Sequence, residues 1–278
     1  MVPDGRRRPG PGRSGHEQRV CTLMTVAKHV AARDCFRVIA PRPAARLTLF
    51  CFPHAGGAAS SFHQLATLLP PDIELVAVQY PGRQDRYGEP MPRTLAELVD
   101  EITGAMLERL DRPAAFFGHS MGATVAFETA RRLRSRRPNA LRRLFASARR
   151  APHHDNSKAL TFPDDASVLR YVDSLGGAGA QLLADAELRE LAMPILRGDF
   201  RLIADYRYAP GAPLTCPITA IAGDIDASFT VDHATEWARH TVAGCEVRAV
   251  QGGHFYTETA PDALARLLTE KLAAEVTA

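Results

Sequence analysis

Phe117-Gly118-His119-Ser120-Met121-Gly122-Ala123 is the stretch that decides the fold. Gly118 to Gly122 matches G-x-S-x-G, a strand-to-helix turn that lifts a serine hydroxyl above a sheet. Alone, the five letters also describe an ordinary turn. Here the apolar run Ala114 to Phe117 precedes them as a strand, and a helix follows Gly122 at once, which is the context the motif requires. A side chain at either glycine is expected to collide with the neighbouring strand or helix, and the small Ala123 suits the same crowding.

Outward from this turn, strands alternate with helices. Leu47 to Phe52 is a short, continuous apolar run ended by Pro53 and two glycines, as in a strand buried on both faces. Ile73 to Tyr80 repeats it and is closed by Pro81-Gly82; Leu141 to Ala148, Ile218 to Ala222 and Glu246 to Val250 supply three more. Thr94 and Glu97 form a capping box before Leu95, Leu98, Val99, Ile102 and Met106, whose spacing lays one apolar stripe along a helix. Further helices are expected from about Val231 to Thr241 and from Pro261 to Val276. The alternation predicts an α/β fold with a mostly parallel central sheet and helices on both faces. Phe162 to Ala209 reads as helices only, too long for an ordinary connection, so a helical lid insertion over the carboxyl edge of the sheet is predicted at about 160–210.

The chain has 278 residues, enough for one domain with a buried core, here 36–278. Residues 1–35 form an Arg-, Gly- and Pro-rich extension read as disordered, and Met24 is an alternative start to Met1. Hydrophobic residues at 46% and no apolar run long enough for a span argue against a membrane protein. The net charge of +3 is too small to argue for nucleic acid. Cys21, Cys35, Cys51, Cys216 and Cys245 are odd in number, widely spaced and without a secretory leader, which points to reduced thiols in a cytoplasm.

A serine hydroxyl needs a base to take its proton, and the base needs an acid to orient it. In this chain order the acid comes before the histidine, each on a loop at a strand's carboxyl end. His254 follows Gly252-Gly253 just past the strand ending near Val250. For the acid, Asp226 is favoured over Asp224, which stands closer to its strand and is suited to tying the loop to backbone amides; Asp155 is a more distant alternative. Oxyanion donors are expected at the Met121 amide and at Ala55, in the loop Phe52-Pro53-His54-Ala55-Gly56-Gly57. His153-His154-Asp155 lacks a third ligand at helpful spacing, so no metal is predicted, and without a nucleotide-binding motif no cofactor is implied.

With those motifs in place, the chain resembles the external, type II thioesterases that serve modular polyketide and nonribosomal peptide synthases, from about Phe36 to the C-terminus. The carriers are the loop 52–57, Tyr80-Pro81-Gly82-Arg83, the stretch 117–123, Arg150-Ala151-Pro152-His153, Leu196-Arg197-Gly198-Asp199-Phe200, Gly223-Asp224-Ile225-Asp226 and Gly252-Gly253-His254-Phe255. The resemblance implies an α/β-hydrolase fold, the triad Ser120, Asp226 and His254, and a lid between the elbow helix and the strand before the acid loop. It also implies hydrolysis of acyl groups from the phosphopantetheine arm of acyl or peptidyl carrier proteins, an editing role in antibiotic biosynthesis. Leu175, Leu182, Leu183, Phe200 and Phe255 are the residues expected to receive the acyl chain, and a monomer is expected. The chain departs from the family where Ala148 replaces a frequent glycine, Gly198 an alanine and Phe229 a valine, and in its Arg-rich N-terminus. The rival readings are a small-ester hydrolase or lipase on the same fold, a non-catalytic carrier-protein binder, and a cyclising release domain normally fused to a synthase; stand-alone length argues against the last.

Overall fold

The computed structural model describes residues 34–155, 160–177, 179 and 183–277. The N-terminal residues 1–33, read from sequence as a disordered extension, and Leu182 lie outside the described residues. Asp34 and Cys35, which sequence placed in that extension, belong to the compact unit that starts at Asp34. Cys35 is buried, and its carbonyl accepts the Gln79 amide at 2.7 Å.

Seven strands form one sheet: β1 Phe36–Val38, β2 Leu47–Phe52, β3 Ile73–Val78, β4 Ala114–His119, β5 Leu141–Ser147, β6 Ile218–Gly223 and β7 Cys245–Val250, in the spatial order β1-β3-β2-β4-β5-β6-β7. Six run parallel, and β1 pairs antiparallel with β3. Every residue of β2, β4 and β6 is buried, because helices cover both faces of a parallel sheet and leave no side for water. β1 escaped the sequence reading: three residues are too few to show a period.

The helices are α1 His63–Leu68, α2 Leu95–Leu107, α3 Met121–Arg136, α4 Asp165–Leu175, α5 Ala186–Asp205, α6 Val231–Thr235, α7 Tyr256–Thr259 and α8 Pro261–Thr277. The apolar stripe of α2 is buried as expected. Its cap differs in one half: Thr94 Oγ1 accepts from the Glu97 amide at 3.1 Å, while the Glu97 carboxylate reaches back to the Arg93 amide at 2.8 Å rather than to Thr94. The predicted helix Val231 to Thr241 is one turn of α-helix followed by a 3₁₀ stretch, Glu236–His240.

The predicted lid stretch carries α4 and α5, capped by the side chains of Asp164 and Asp185. Val168, Val172, Met193, Leu196, Phe200 and Ile203 form their buried faces. Phe200 packs edge-on against Phe162 and Tyr171, with ring centroids 5.1 and 5.6 Å away, which fixes the two lid helices to the segment leading into them. No helix of the described residues is long and apolar enough to cross a membrane.

Candidate active site

The turn after β4 has the conformation its glycines predict. Ser120 sits at φ 53° and ψ −120°, a backbone that L-residues rarely adopt and that the surroundings must enforce. A Cβ at Gly118 would lie 2.3 Å from the Gly122 carbonyl oxygen, and one at Gly122 would lie 2.0 Å from that of Phe52. Both obstacles are backbone, so α3 can approach β2 and β4 this closely only with hydrogen at those positions. The turn is tied sideways by the Ser120 amide donating to the Ser147 carbonyl at 2.8 Å.

His254 follows β7, and Asp226 follows the neighbouring β6. His254 Nδ1 donates to Asp226 Oδ2 at 2.8 Å, and both residues are buried. Asp226 Oδ1 accepts from the Ser228 amide at 2.8 Å, the Ser228 hydroxyl at 2.6 Å and the Phe229 amide at 3.2 Å. Burial pushes the Asp226 carboxyl up, but the hydrogen bonds from His254 and Ser228 outweigh it and hold the group below its ordinary value. Asp224 does the other job foreseen for it, accepting the Gly252 amide at 2.8 Å and so tying the acid loop to the histidine loop. Asp155 is not part of this cluster. The packing of Phe229, where the resemblance implies valine, leaves the Asp226–His254 contact intact: its ring is buried and its amide joins the carboxylate's shell.

His254 Nε2 is buried and makes no hydrogen bond. His254 and Ser120 line one cavity of about 320 Å³, mostly apolar, under the lid helices. Ala55 and Met121, the expected oxyanion donors, line the same cavity, as do Leu175, Leu183, Phe200 and Phe255. Sequence reading missed Tyr171, Val172, Leu196 and Ile203 in this lining; Val172, Leu196 and Ile203 stand on the buried stripes of α4 and α5, which the helical period could have nominated, and Tyr171 is half-buried beside them. Phe255 also meets the lid: a Cβ at Gly177, which has φ +88°, would lie 2.6 Å from its ring.

Two other histidines stand near the site, both held below the usual imidazole range. His119 Nδ1 pairs with Ser147 Oγ at 2.7 Å, and Ser147 in turn bonds the Tyr256 hydroxyl; burial, with His254 and His54 nearby, keeps His119 far below the usual imidazole range. Burial beside His254 and Arg83 lowers His54 to about 4. Neither competes with His254 for the carboxylate.

Away from the cavity, Glu236 supplies across the fold the third group that spacing could not show near His153-His154: candidate ligand atoms of the three residues lie within 4.8 Å of one another. His154 already pairs with Glu236, and His153 Nδ1 with His240 Nε2 at 2.9 Å.

Residues 47–272 match the family model described as Thioesterase domain. The chain is 39% identical over 258 residues to a probable cadicidin biosynthesis thioesterase of Streptomyces griseus, covering 92% of this chain and 71% of that protein. It is 42% identical over 217 residues to thioesterase PikA5 of Streptomyces venezuelae, covering 78% and 77%. Among solved structures, the type II thioesterase BorB from the borrelidin biosynthetic cluster superposes with a TM-score of 0.76 at 40% identity, over 85% of this chain and 97% of that one. A thioesterase from the prodiginine pathway of Streptomyces coelicolor gives 0.74 at 34% identity, over 83% and 86%. Family model, relatives and sheet topology agree: the chain belongs to the thioesterase family and has the α/β-hydrolase fold.

Proposed function

We propose that this thioester hydrolase works through Ser120 as nucleophile, His254 as general base and Asp226 as the orienting acid, on acyl groups held by the phosphopantetheine arm of acyl or peptidyl carrier proteins. The observation that carries the reading is the state of His254. Its Nδ1 pairs with Asp226, its Nε2 is buried and without a partner, and His254 and Ser120 line the same cavity. A buried polar nitrogen left unsatisfied costs about 1–3 kcal/mol, so such an arrangement is expected where a reacting group completes it.

In the first half-reaction Ser120 Oγ bonds to the thioester carbonyl carbon as its proton passes to His254 Nε2. The charge that develops on the carbonyl oxygen falls to the amides of Ala55 and Met121. The C–S bond then breaks, and His254 returns the proton to the departing pantetheine sulfur. In the second, water attacks the acyl-serine with His254 again as base, and the carboxylic acid leaves. Asp226 keeps the proton on Nδ1 throughout and stabilises the imidazolium. Leu175, Leu183, Phe200 and Phe255 give the acyl chain an apolar bed. One relative is named for cadicidin biosynthesis, and a similar solved structure is a type II thioesterase from the borrelidin biosynthetic cluster, which supports an editing role in a polyketide or nonribosomal peptide pathway.

Turnover of acyl-pantetheine thioesters against matched oxygen esters, with a panel of acyl-carrier proteins followed by intact mass spectrometry, tests the proposal. Deacylation of carrier proteins at rates well above the oxygen esters is expected. Preference for the oxygen esters, with carrier proteins left acylated, contradicts it.

A further inference from the structure

Arg83 and Asp199 stand 116 residues apart and form an ion pair that is 3% and 1% exposed. Burying two charges has a desolvation cost that their attraction often fails to recover, so stability alone is a weak reason for the pair. What the two side chains hold is more informative. The Asp199 oxygen that meets Arg83, Oδ2, also accepts the Gly56 amide at 2.7 Å. Arg83 donates through Nε to the Gly57 carbonyl at 3.1 Å and through Nη1 to the Pro81 carbonyl at 2.8 Å.

These bonds grip the loop that carries the candidate donor Ala55. On its N-terminal side the Tyr80 hydroxyl donates to the Pro53 carbonyl at 3.2 Å, and the Gly57 amide closes a turn on the His54 carbonyl at 2.9 Å. On its C-terminal side Asp199 fixes the Gly56 amide, and with it the plane of the peptide joining Ala55 to Gly56. Gly56 has φ +78°. Leu196, one turn before Asp199 on α5, blocks the space beside it: a Cβ at Gly56 would lie 2.6 Å from Leu196 Cδ2. Leu196 also lines the cavity. A single lid helix therefore contributes both a wall of the cavity and the acceptor that orients the loop beside it.

We propose that Asp199 is a positioning residue for the oxyanion hole: its carboxylate, held by Arg83, fixes the 55–56 peptide next to the 54–55 peptide that carries the Ala55 N–H, so that the seating of lid helix α5 and the assembly of the hole are one event. This rests on the reading of Ser120 as the nucleophile and of Ala55 as an oxyanion donor. Charge-assisted bonds to a backbone amide are short and directional, which is what setting a peptide plane requires. A donor misplaced at an oxyanion hole lowers the rate of the chemical step while leaving ground-state binding nearly intact.

Asp199→Asn and Asp199→Leu separate positioning from simple charge pairing. Both remove the negative charge and with it the ion pair, but only asparagine keeps an acceptor oxygen for the Gly56 amide and for Arg83. With folding checked by circular dichroism, the leucine variant is expected to lose about 100-fold in kcat, with KM within about threefold of wild type, and the asparagine variant to retain at least about a tenth of kcat. Equal kcat in the two variants, or a loss confined to KM, overturns the proposal. If the single variants do not fold, Arg83→Met/Asp199→Leu removes the orphaned charge; a loss of about 100-fold in kcat is expected, and a wild-type kcat overturns the proposal. Fluorophosphonate labelling of the wild-type protein keeps the two readings apart. If Ser120 is not labelled, the nucleophile assignment fails; if Ser120 is labelled while asparagine and leucine behave alike, the positioning role fails.

Discussion

The elbow at 117–123 and the lid helices face each other across one cavity and are specified in opposite ways. At the elbow the constraints are backbone against backbone: the absent Cβ atoms of Gly118 and Gly122 would strike carbonyl oxygens, and Ala123 is fully buried. In the lid the constraints are side chains on side chains, with Tyr171 of α4 and Leu196 and Phe200 of α5 packed over the cavity and Leu191 of α5 exposed. The first kind of constraint tolerates nothing and places one atom. The second is adjustable and sets what fits beside that atom.

The sharpest way to break the contrast is Gly122→Ala. A methyl group 2.0 Å from the Phe52 carbonyl forces α3 off the sheet, with an expected loss of about 3 kcal/mol or more in chemical denaturation; a wild-type midpoint means that the elbow is not set by its backbone. Next is Asp226→Asn, which leaves the cavity shape alone and strips the tautomer control from His254. Its expected effect is roughly 10³–10⁴-fold in kcat with little change in KM.

Changes at the apolar lid residues that line the cavity are expected to be smaller and to alter preference rather than rate. Phe200 and Leu160 line both the catalytic cavity and a neighbouring one of about 520 Å³. Phe200→Ala is expected to join the two and to raise the kcat/KM ratio of long over short acyl thioesters by about tenfold, since each added methylene gains roughly 1 kcal/mol of burial. An unchanged ratio means that the chain does not lie there. The smallest effect is expected at Ala148, at the end of β5, where φ is +51°. Ala148→Gly relieves a left-handed alanine and is expected to stabilise the fold by about 0.5–1 kcal/mol in denaturant titration, with kcat unmoved.

That position shows where the sequence was legible and where it was not. The resemblance implies a glycine where Ala148 stands, and a reason for glycine there, a positive φ, became visible only in the fold. Likewise a Cβ at Gly198, where the resemblance implies alanine, would lie 2.9 Å from Met91 Cε, so a distant side chain occupies the space. The parallel strands and the elbow could be read because burial on both faces and a glycine-enforced turn write themselves into consecutive residues. The order of acid and histidine narrowed the triad, and the separate duties of Asp224 and Asp226 followed from one's closeness to the strand. Contacts made by residues far apart left no local trace: Arg83 with Asp199, and His154 with Glu236. β1 escaped because three residues are too few to show a period, and much of the lid lining because nothing local says which apolar residues of two helices turn toward the cavity.

The most direct measurement of the central claim is to mix the enzyme with an acyl-carrier protein, quench within the first turnover, and map the acyl group by peptide mass spectrometry. The acyl mass is predicted on the peptide containing Ser120, absent from Ser120→Ala, with hydrolysis by that variant reduced at least about 10³-fold. Hydrolysis by Ser120→Ala at the wild-type rate, with no acyl-enzyme on the wild-type serine, contradicts it.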